Sequence, residues 1–380
     1  MYNKKPVFLI FLIASIVLLC GQNPIKQQNY PVTYSPIQNT RSFYMGFSNW
    51  PPDFDMSAIA KSLQLTNENS DMRLVHMDGG VPWVEMGGNQ ALPKRIVSWW
   101  DYIRNESKGK KIFVTINPLN FERDGLALYA NEKDDNQPLP DDWKNLSLDS
   151  DKVKTAYLSY AEEIISYWNP DYLAIGVEVN ISVSKNLKTW REYLALHKFI
   201  YTKLKERHPQ LPVFATVQME HFNGLNEDAK GKEDIQKREV GELMKYSDIA
   251  ALSMYPYASE EIKFNSHYLD GIRTYKKPMA ISETGWPSKN FKVFFFPIKG
   301  SPQAQYNYLK TLLTIANRDH FLFVINWTNV DYNKMLDQLP WLMKEIAKSW
   351  VYNGLWNKDF EEKPALDVWQ HYLGLKKVPE

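Results

Sequence analysis

The chain has 380 residues, 44% of them hydrophobic and 14% aromatic, so it is long enough to bury a large core. Its 45 basic and 44 acidic residues leave a net charge of +1, which excludes the positive field typical of nucleic-acid binding. This balance favours an uncharged ligand, and thirteen tryptophans supply flat apolar faces for stacking.

The amino terminus has the pattern of an export signal. Lys4 and Lys5 precede an almost unbroken apolar run, Pro6–Cys20, whose length of about 15 residues is short for a membrane span. Cys20 at its end resembles the acylated cysteine of a bacterial lipoprotein signal, which would anchor the protein to a membrane through lipid. Leu19 stands where such signals usually have a small residue, so simple secretion is the alternative.

A polar segment separates this signal from the rest of the chain. Residues 21–40 contain three prolines and little periodicity, which predicts a tether. Residues 41–380 show no further linker and are predicted to form one domain. Because Cys20 is the only cysteine, this domain is expected to contain no disulfide.

Short apolar strands alternate with amphipathic helices along the domain. The eight predicted strands are Phe43–Phe47, Met72–Met77, Ile112–Asn117, Tyr172–Glu178, Val213–Gln218, Ile249–Tyr255, Met279–Glu283 and Phe321–Trp327. The clearest predicted helices are Leu92–Asn105, Lys152–Trp168, Leu187–Arg207, Ile235–Tyr246, Glu260–Tyr275 and Gln303–Asn317, with Asp151 and Ser301 as candidate caps.

This alternation predicts an α/β fold, a closed (β/α)8 TIM barrel. An open doubly wound sheet is the alternative, but it would be expected to show a glycine-rich phosphate turn after an early strand, and the sequence has none.

The fourth predicted strand delivers a carboxylate to the barrel rim. In Tyr172–Glu178, Leu173, Ile175 and Val177 alternate with Ala174, Gly176 and Glu178. The period of two predicts that the branched residues face the helices and the small ones face inward. Glu178 then lies at a carboxy-terminal strand end, where the active sites of such barrels occur.

The seventh predicted strand ends in a second carboxylate. Glu283 follows the apolar run Pro278–Ile281 and precedes Gly285 and Trp286. A barrel would bring Glu178 and Glu283 onto one rim, and two carboxylates about 5–5.5 Å apart are what a retaining glycosidase needs. One attacks the anomeric carbon, while repulsion keeps the other protonated as the acid. Two unrelated rim glutamates are the alternative.

These segments resemble clan A of the glycoside hydrolases. Ile281–Ser288 looks like the nucleophile strand of families 53 and 17, the β-galactanases and β-1,3-glucanases, and Ala174–Asn180 resembles the acid/base strand. The resemblance implies that Glu283 is the nucleophile and Glu178 the acid/base. It also implies that Tyr255 hydrogen-bonds the nucleophile and that Trp327 floors the sugar subsite.

One position departs from the clan pattern. The clan usually has asparagine before the acid/base glutamate to bind the sugar 2-hydroxyl, but this chain has Val177. Asn180, two residues beyond Glu178, is a candidate for reaching the substrate, but its position differs and it is no simple replacement. Because such a hydrogen bond contributes to the transition state, a weakly active or non-catalytic carbohydrate-binding protein is the main alternative.

Several further residues follow predicted strands and are candidates for substrate binding. Each has a structural alternative, either a satisfied polar pair or an indole packed in the core. The candidates are Trp50, His76, Asp78, Trp83, Asn117, Asn180, Glu220, Tyr255, Trp286 and Trp327. No cofactor motif or metal-ligand spacing occurs.

Together these patterns predict an exported retaining β-glycosidase that acts on a galactan- or glucan-like polysaccharide. A purely structural envelope lipoprotein is a third hypothesis, but it explains neither the two glutamates nor the aromatic rim.

Overall fold

The computed structural model describes residues 39–48, 50–107, 109–258 and 264–378. The predicted signal, Cys20 and nearly all of the tether lie outside the described residues. In the described part of the chain, no helix combines the length and apolar character needed to cross a bilayer.

Parallel strands form the centre of the molecule. They are β1 (Tyr44–Phe47), β2 (Met72–Met77), β3 (Lys111–Ile116), β4 (Tyr172–Ala174), β5 (Val213–Phe214 and Thr216–Gln218), β6 (Ala250–Met254), β7 (Met279–Thr284) and β8 (Phe323–Asn326).

The fifth strand closes the ring. Its first segment pairs with β4 and its second with β6, and only Ala215 separates them. Each other strand pairs with its neighbours in sequence, and β8 pairs with both β1 and β7. The fold is therefore the predicted (β/α)8 barrel, with strand boundaries close to those expected from the sequence.

Helices and short helical turns connect the strands. The α-helices of the described residues are Met56–Glu68, Trp83–Gly87, Lys94–Asn105, Asp151–Trp168, Ile181–Lys185, Leu187–Arg207, Met219–Phe222, Glu233–Met244, Asp270–Arg273, Pro302–Arg318, Asn333–Leu336, Trp341–Ala347 and Ala365–Gly374. Single 3₁₀ turns cover Glu227–Ala229, Pro256–Ala258, Ser266–Leu269 and Lys348–Trp350.

Of the two predicted helix caps, only Ser301 lies at the cap position. Ser301 accepts a hydrogen bond from the Ala304 amide and so satisfies a free N–H at the start of Pro302–Arg318. Asp151 is instead the first residue of its helix, preceded by Ser150. The prediction of one helix over Glu260–Tyr275 was wrong, because the described part of that segment holds only the short turns from Ser266 to Arg273.

Smaller elements complete the described chain. Thr40–Arg41 pairs with Lys376–Lys377, which joins the two ends of the domain. An antiparallel hairpin, Phe291–Val293 with Phe296–Ile298, follows β7. Residues 117–150 form a long loop between β3 and the next helix, and this loop supplies part of the site.

Two apolar layers hold the barrel together. Ala174 belongs to an inner cluster with residues such as Phe113 and Phe323, whereas Leu173 and Ile175 pack in the larger cluster shared with the helices. This is the alternation that the sequence predicted for the fourth strand. Regular strand geometry ends at Ala174, so Val177, predicted to face the helices, instead lines a cavity.

Candidate active site

Glu178 occupies an irregular turn just beyond β4. Its φ of 51° lies in the left-handed region, which is uncommon for a residue with a side chain. The Glu178 amide donates to the Thr216 hydroxyl at 2.8 Å, and the Val177 amide donates to the Asn117 side chain at 3.3 Å. Such a conformation persists only where the surroundings hold it, and it is concentrated at functional sites.

The Glu178 carboxylate contacts a cation and a hydroxyl. Ser253 of β6 donates to its Oε1 at 2.5 Å, and a guanidinium nitrogen of Arg123 lies 3.7 Å from its Oε2. Ser253 is also the cross-strand neighbour of Glu283 in the pairing of β6 with β7. The Glu178 side chain therefore reaches across the barrel mouth toward the strand that carries the other glutamate.

Glu283, at the end of β7, is 8% exposed. Tyr255 donates to its Oε2 at 3.2 Å, and His76 Nδ1 lies 3.9 Å from its Oε1. Burial, followed by the negative charge of Glu178, raises the pKa of Glu283 to about 8, although Tyr255 and Arg123 act in the opposite direction. The charge of Glu178 therefore acts on Glu283, and the carboxyl group whose pKa is raised is the one that the resemblance implies as nucleophile, not the one implied as acid.

Sequence reasoning did not identify Arg123, whose guanidinium lies beside the Glu178 carboxylate. It lies in the long loop after β3 and is 6% exposed. Its Nε donates to the Val177 carbonyl at 3.0 Å, and its Nη1 donates to the carbonyls of Asn120 and Phe121, both at 3.0 Å. Loops that follow barrel strands form the functional rim, so its position in such a loop was the available signal.

Both glutamates line one cavity of about 360 Å³, the first cavity. Other residues on its wall are His76, Asp78, Asn117, Arg123, Ala127, Val177, Tyr255, Trp327 and Trp350. The structure therefore brings together seven of the candidate site residues predicted from the sequence. They lie at the ends of β2, β3, β4, β6, β7 and β8 or just beyond them.

His76 is held as a neutral base beside Glu283. Its Nδ1 lies 2.7 Å from the Thr115 hydroxyl, and its ring packs edge-on against Trp327 at 5.6 Å between centroids. Burial, and secondarily the positive charge of Arg123, lowers the pKa of His76 to about 4. At neutral pH the imidazole therefore contributes hydrogen bonding to the site and no charge.

A smaller second cavity of about 80 Å³ adjoins the first. The two share His76, Met77, Asp78, Gly80 and Trp327. The remaining wall of the second cavity is formed by Trp50, Pro51, Gly79, Arg95, Ile96, Trp99, Trp100, Ala130, Asp135 and Tyr160. Trp50, a predicted sugar platform, thus lies beside this second cavity, 5.7 Å from Trp327 between ring centroids.

Two tryptophans predicted as candidates for substrate binding, Trp83 and Trp286, line neither cavity. Trp83 is fully buried, donates to the Ala127 carbonyl at 2.8 Å and stacks on Trp143. Trp286 packs against Tyr308 at 5.0 Å. Both are packed indoles, the alternative that the sequence had left open for them.

Asn180 and Glu220 are also directed away from both cavities. The Asn180 amide is fully buried, donates to the Gln218 carbonyl and to Gln236, and accepts from the Gln218 amide. It therefore does not replace the missing asparagine at position 177. Glu220 accepts from the Tyr255 amide, from the Tyr268 hydroxyl and from Gln218, so its carboxylate is fully engaged.

Among the described residues, no group of three His, Cys, Asp or Glu side chains is arranged to hold a metal ion. The carboxylates of Glu178 and Glu283 are suited to acid–base and nucleophilic chemistry.

No protein-family model matches this sequence, and no curated protein matches it. Solved structures match it in fold. The GH53 catalytic domain of Ignisphaera aggregans is 16% identical, with a TM-score of 0.58 over 92% of this chain and 99% of that one. GH5_18 from Streptomyces cattleya, in complex with GlcNAc, is 13% identical, with a TM-score of 0.59 over 90% of this chain and 83% of that one.

A third match is the exo-β-1,4-mannosidase Op5Man5 from Opitutaceae bacterium strain TAV5. It is 12% identical, with a TM-score of 0.58 over 89% of this chain and 60% of that one. At such identities the similarity establishes the fold. The chain shares the barrel of glycoside hydrolases that include family 53, which the strand motifs had suggested.

Proposed function

We propose that the protein is a retaining glycoside hydrolase that cleaves β-linked sugars. The observation that carries this proposal is the meeting of Glu178 and Glu283, 105 positions apart in sequence (283 − 178), in one cavity walled by Trp327. Support comes from the shared fold of glycosidases and from the strained backbone that holds Glu178.

In the proposed reaction, the Glu283 carboxylate attacks the anomeric carbon while Glu178 donates its proton to the departing glycosidic oxygen. The C–O bond breaks, and the sugar is left as an ester of Glu283. Glu178 then takes a proton from water, whose oxygen attacks the same carbon and releases Glu283. The first step consumes the proton of Glu178, and the second step restores it from water. Both carboxyl groups therefore end in the state in which they began.

The proton must lie on Glu178 when the substrate is bound. In the empty site, burial and the charge of Glu178 favour the protonated form of Glu283. Tyr255 and Arg123 oppose this and favour a negative charge on Glu283. We infer that substrate binding, with a glycosidic oxygen placed against Glu178, completes the transfer of the proton to that residue.

The stereochemistry of the product tests the mechanism. The purified protein is incubated with aryl β-glycosides and β-linked oligosaccharides, and the first anomer released is identified by NMR. Retention is expected, because two displacements restore the configuration. An α-anomer as first product would contradict the double displacement.

The role of Glu178 is tested by replacing it with alanine and adding azide. The variant should hydrolyse an activated aryl β-glycoside slowly and should gain rate from azide, because a small anion needs no base to attack the glycosyl-enzyme. The control is Glu206→Gln, an exposed glutamate of the helix Leu187–Arg207, which should keep full activity. A fully active Glu178→Ala variant would contradict the assignment.

A non-catalytic carbohydrate-binding protein is the second candidate, and Val177 favours it. An apolar side chain lines the cavity where the clan pattern has a hydrogen-bonding asparagine. Binding of β-glucans or β-galactans without any release of product, across the same panel, would support this candidate over the enzyme.

We further propose that the protein is exported and is anchored through Cys20 or secreted. Mass spectrometry of the mature protein distinguishes the two outcomes, since acylation adds fatty-acid mass to an amino-terminal cysteine. An intact amino terminus that still begins at Met1 would contradict both.

A further inference from the structure

The second cavity, at about 80 Å³, has less than a quarter of the volume of the first, at about 360 Å³, so it suits a substituent of the sugar better than a further ring. Because Asp78, His76 and Trp327 line both cavities, a group entering the second cavity would be carried by a sugar held in the first.

The walls of the second cavity are mainly aromatic. Trp50, Trp99, Trp100 and Trp327 all line it, together with Ile96 and Ala130. A purely polar substituent, such as a hydroxyl group, would leave most of this surface without a partner. The occupant that fits therefore has an apolar end.

Polar groups with unused hydrogen-bonding capacity interrupt this apolar wall. The Asp78 carboxyl makes no side-chain hydrogen bond with the described residues. Arg95 bonds Asn131 and Asp135 through Nε and Nη2, which leaves Nη1 without a partner in the described chain. The occupant should therefore also carry an acceptor and a donor.

The loop after β2 is built to bring these groups together. A methyl group on Gly79 would lie 2.6 Å from the Asp135 carboxyl carbon, so a side chain at position 79 would displace this carboxyl group. Asp135 in turn accepts from Arg95 Nη2 at 2.6 Å. Among the described residues, Arg95 is the only cation on this wall, and Asp135 already neutralises it. With Asp78 nearby, the cavity disfavours an anionic substituent such as a uronate.

We propose that the second cavity recognises an acetamido group and that the substrate is a β-linked glycan containing N-acetylhexosamine. An acetamido group meets these requirements, with the methyl against the indoles, the carbonyl accepting from Arg95 and the N–H donating to Asp78. This inference rests on the proposed function, since it deepens the specificity of the same site.

The kinetic test compares two aryl β-glycosides that differ only in acetamido against hydroxyl. The wild-type protein should prefer the acetamido sugar by at least tenfold in kcat/KM. Ala130 lines only the second cavity, so Ala130→Val should reduce this preference about tenfold. The matched control is Ala127→Val, which narrows only the first cavity and should lower both rates by a similar factor. An unchanged preference in Ala130→Val would overturn the proposal.

A binding test separates this inference from the proposed function. Tryptophan fluorescence is titrated with N-acetylglucosamine, N-acetylgalactosamine, glucosamine and glucose. Saturable binding of an N-acetylated sugar that weakens at least tenfold in Ala130→Val supports the acetamido pocket, even if no glycoside is hydrolysed. Equal binding of glucose, tighter binding of glucosamine, or no binding at all would overturn it, whereas hydrolysis without acetamido preference would leave the proposed function standing.

If Ala130→Val does not fold, as judged by circular dichroism, Trp99→Leu serves instead. Trp99 is partly exposed and lines only the second cavity, so its loss widens the pocket and removes apolar contact. The preference for the acetamido sugar should again fall, and its persistence would count against the proposal.

Discussion

Glu220 and Glu283 are two buried carboxylates at the same end of the barrel. Their surroundings suit Glu220 to a structural role and Glu283 to a chemical one. Both have raised pKa values, to about 7 for Glu220 and about 8 for Glu283, chiefly because of burial. Glu220 accepts three hydrogen bonds and lines neither cavity. Glu283 accepts one, from Tyr255, and faces the first cavity. A buried acid whose oxygens remain available is the one that can react with a ligand.

The largest expected effect is on turnover. Replacing Glu283 with glutamine removes the nucleophile while keeping the volume and polarity of the side chain, so kcat should fall by at least about 10³-fold. Circular dichroism should show an unchanged fold. Glycoside hydrolysis at the wild-type rate in this variant would place the chemistry elsewhere.

The second effect is on stability and concerns Glu220. Glu220→Ala leaves the Tyr255 amide, the Tyr268 hydroxyl and the Gln218 amide buried without their acceptor. The free energy of unfolding, measured with denaturant, should fall by about 2–4 kcal/mol. The exposed Glu206→Ala provides the comparison and should change it by less than about 0.5 kcal/mol. Equal stability of the two variants would show that the hydrogen bonds of Glu220 contribute little.

The contrast between these two acids shows how far sequence reasoning reaches. The period-two pattern and the short motifs around Glu178 and Glu283 are local, so they predicted the strands, the barrel and the pair. Whether a residue after a strand faces the cavity depends on loops folded over it. The sequence left both alternatives open for Asn180 and Trp83 for this reason, since their partners, such as Gln236 and Trp143, lie far away in sequence.

Arg123 is a site residue that the sequence did not reveal. Nothing in its immediate sequence marks it as functional, because its role arises from contacts with Val177 and Glu178, more than 50 positions away. Likewise, the second cavity is lined by residues from β2, from the loops after β1, β2, β3 and β8, and from the helices Lys94–Asn105 and Asp151–Trp168, an assembly that no local pattern encodes.

The third prediction concerns Tyr255, which joins the two acids by donating its amide to Glu220 and its hydroxyl to Glu283. Tyr255→Phe keeps the first contact and removes the second. A donor stabilises the charged carboxylate, so its loss should raise the pKa of Glu283 above about 8. The alkaline limb of the kcat/KM profile, which reports the coupled pair, should move to higher pH, and kcat should fall about tenfold.

The matched control for this change is Tyr257→Phe. Tyr257 lies two residues away, donates to the Ser349 carbonyl and does not line the first cavity. Loss of the Tyr257 hydroxyl should leave the pH profile of kcat/KM unchanged. A profile shifted equally in both variants would indicate a general loosening of the segment and not a specific contact with Glu283.

The smallest effect is the pH dependence of stability. Because the pKa of Glu283 in the folded protein, about 8, exceeds its ordinary value of 4.5, the folded state binds the proton more tightly than the unfolded state. The resulting stabilisation is complete below about pH 4.5 and is lost as pH rises to about 8. Glu283→Gln cannot lose a proton, so its unfolding free energy should gain on that of the wild type as the pH rises across this window. Thermal unfolding at pH 5 and pH 8 measures the difference. If the stabilities of the two proteins change equally between these pH values, the pKa of Glu283 is not raised in the folded protein.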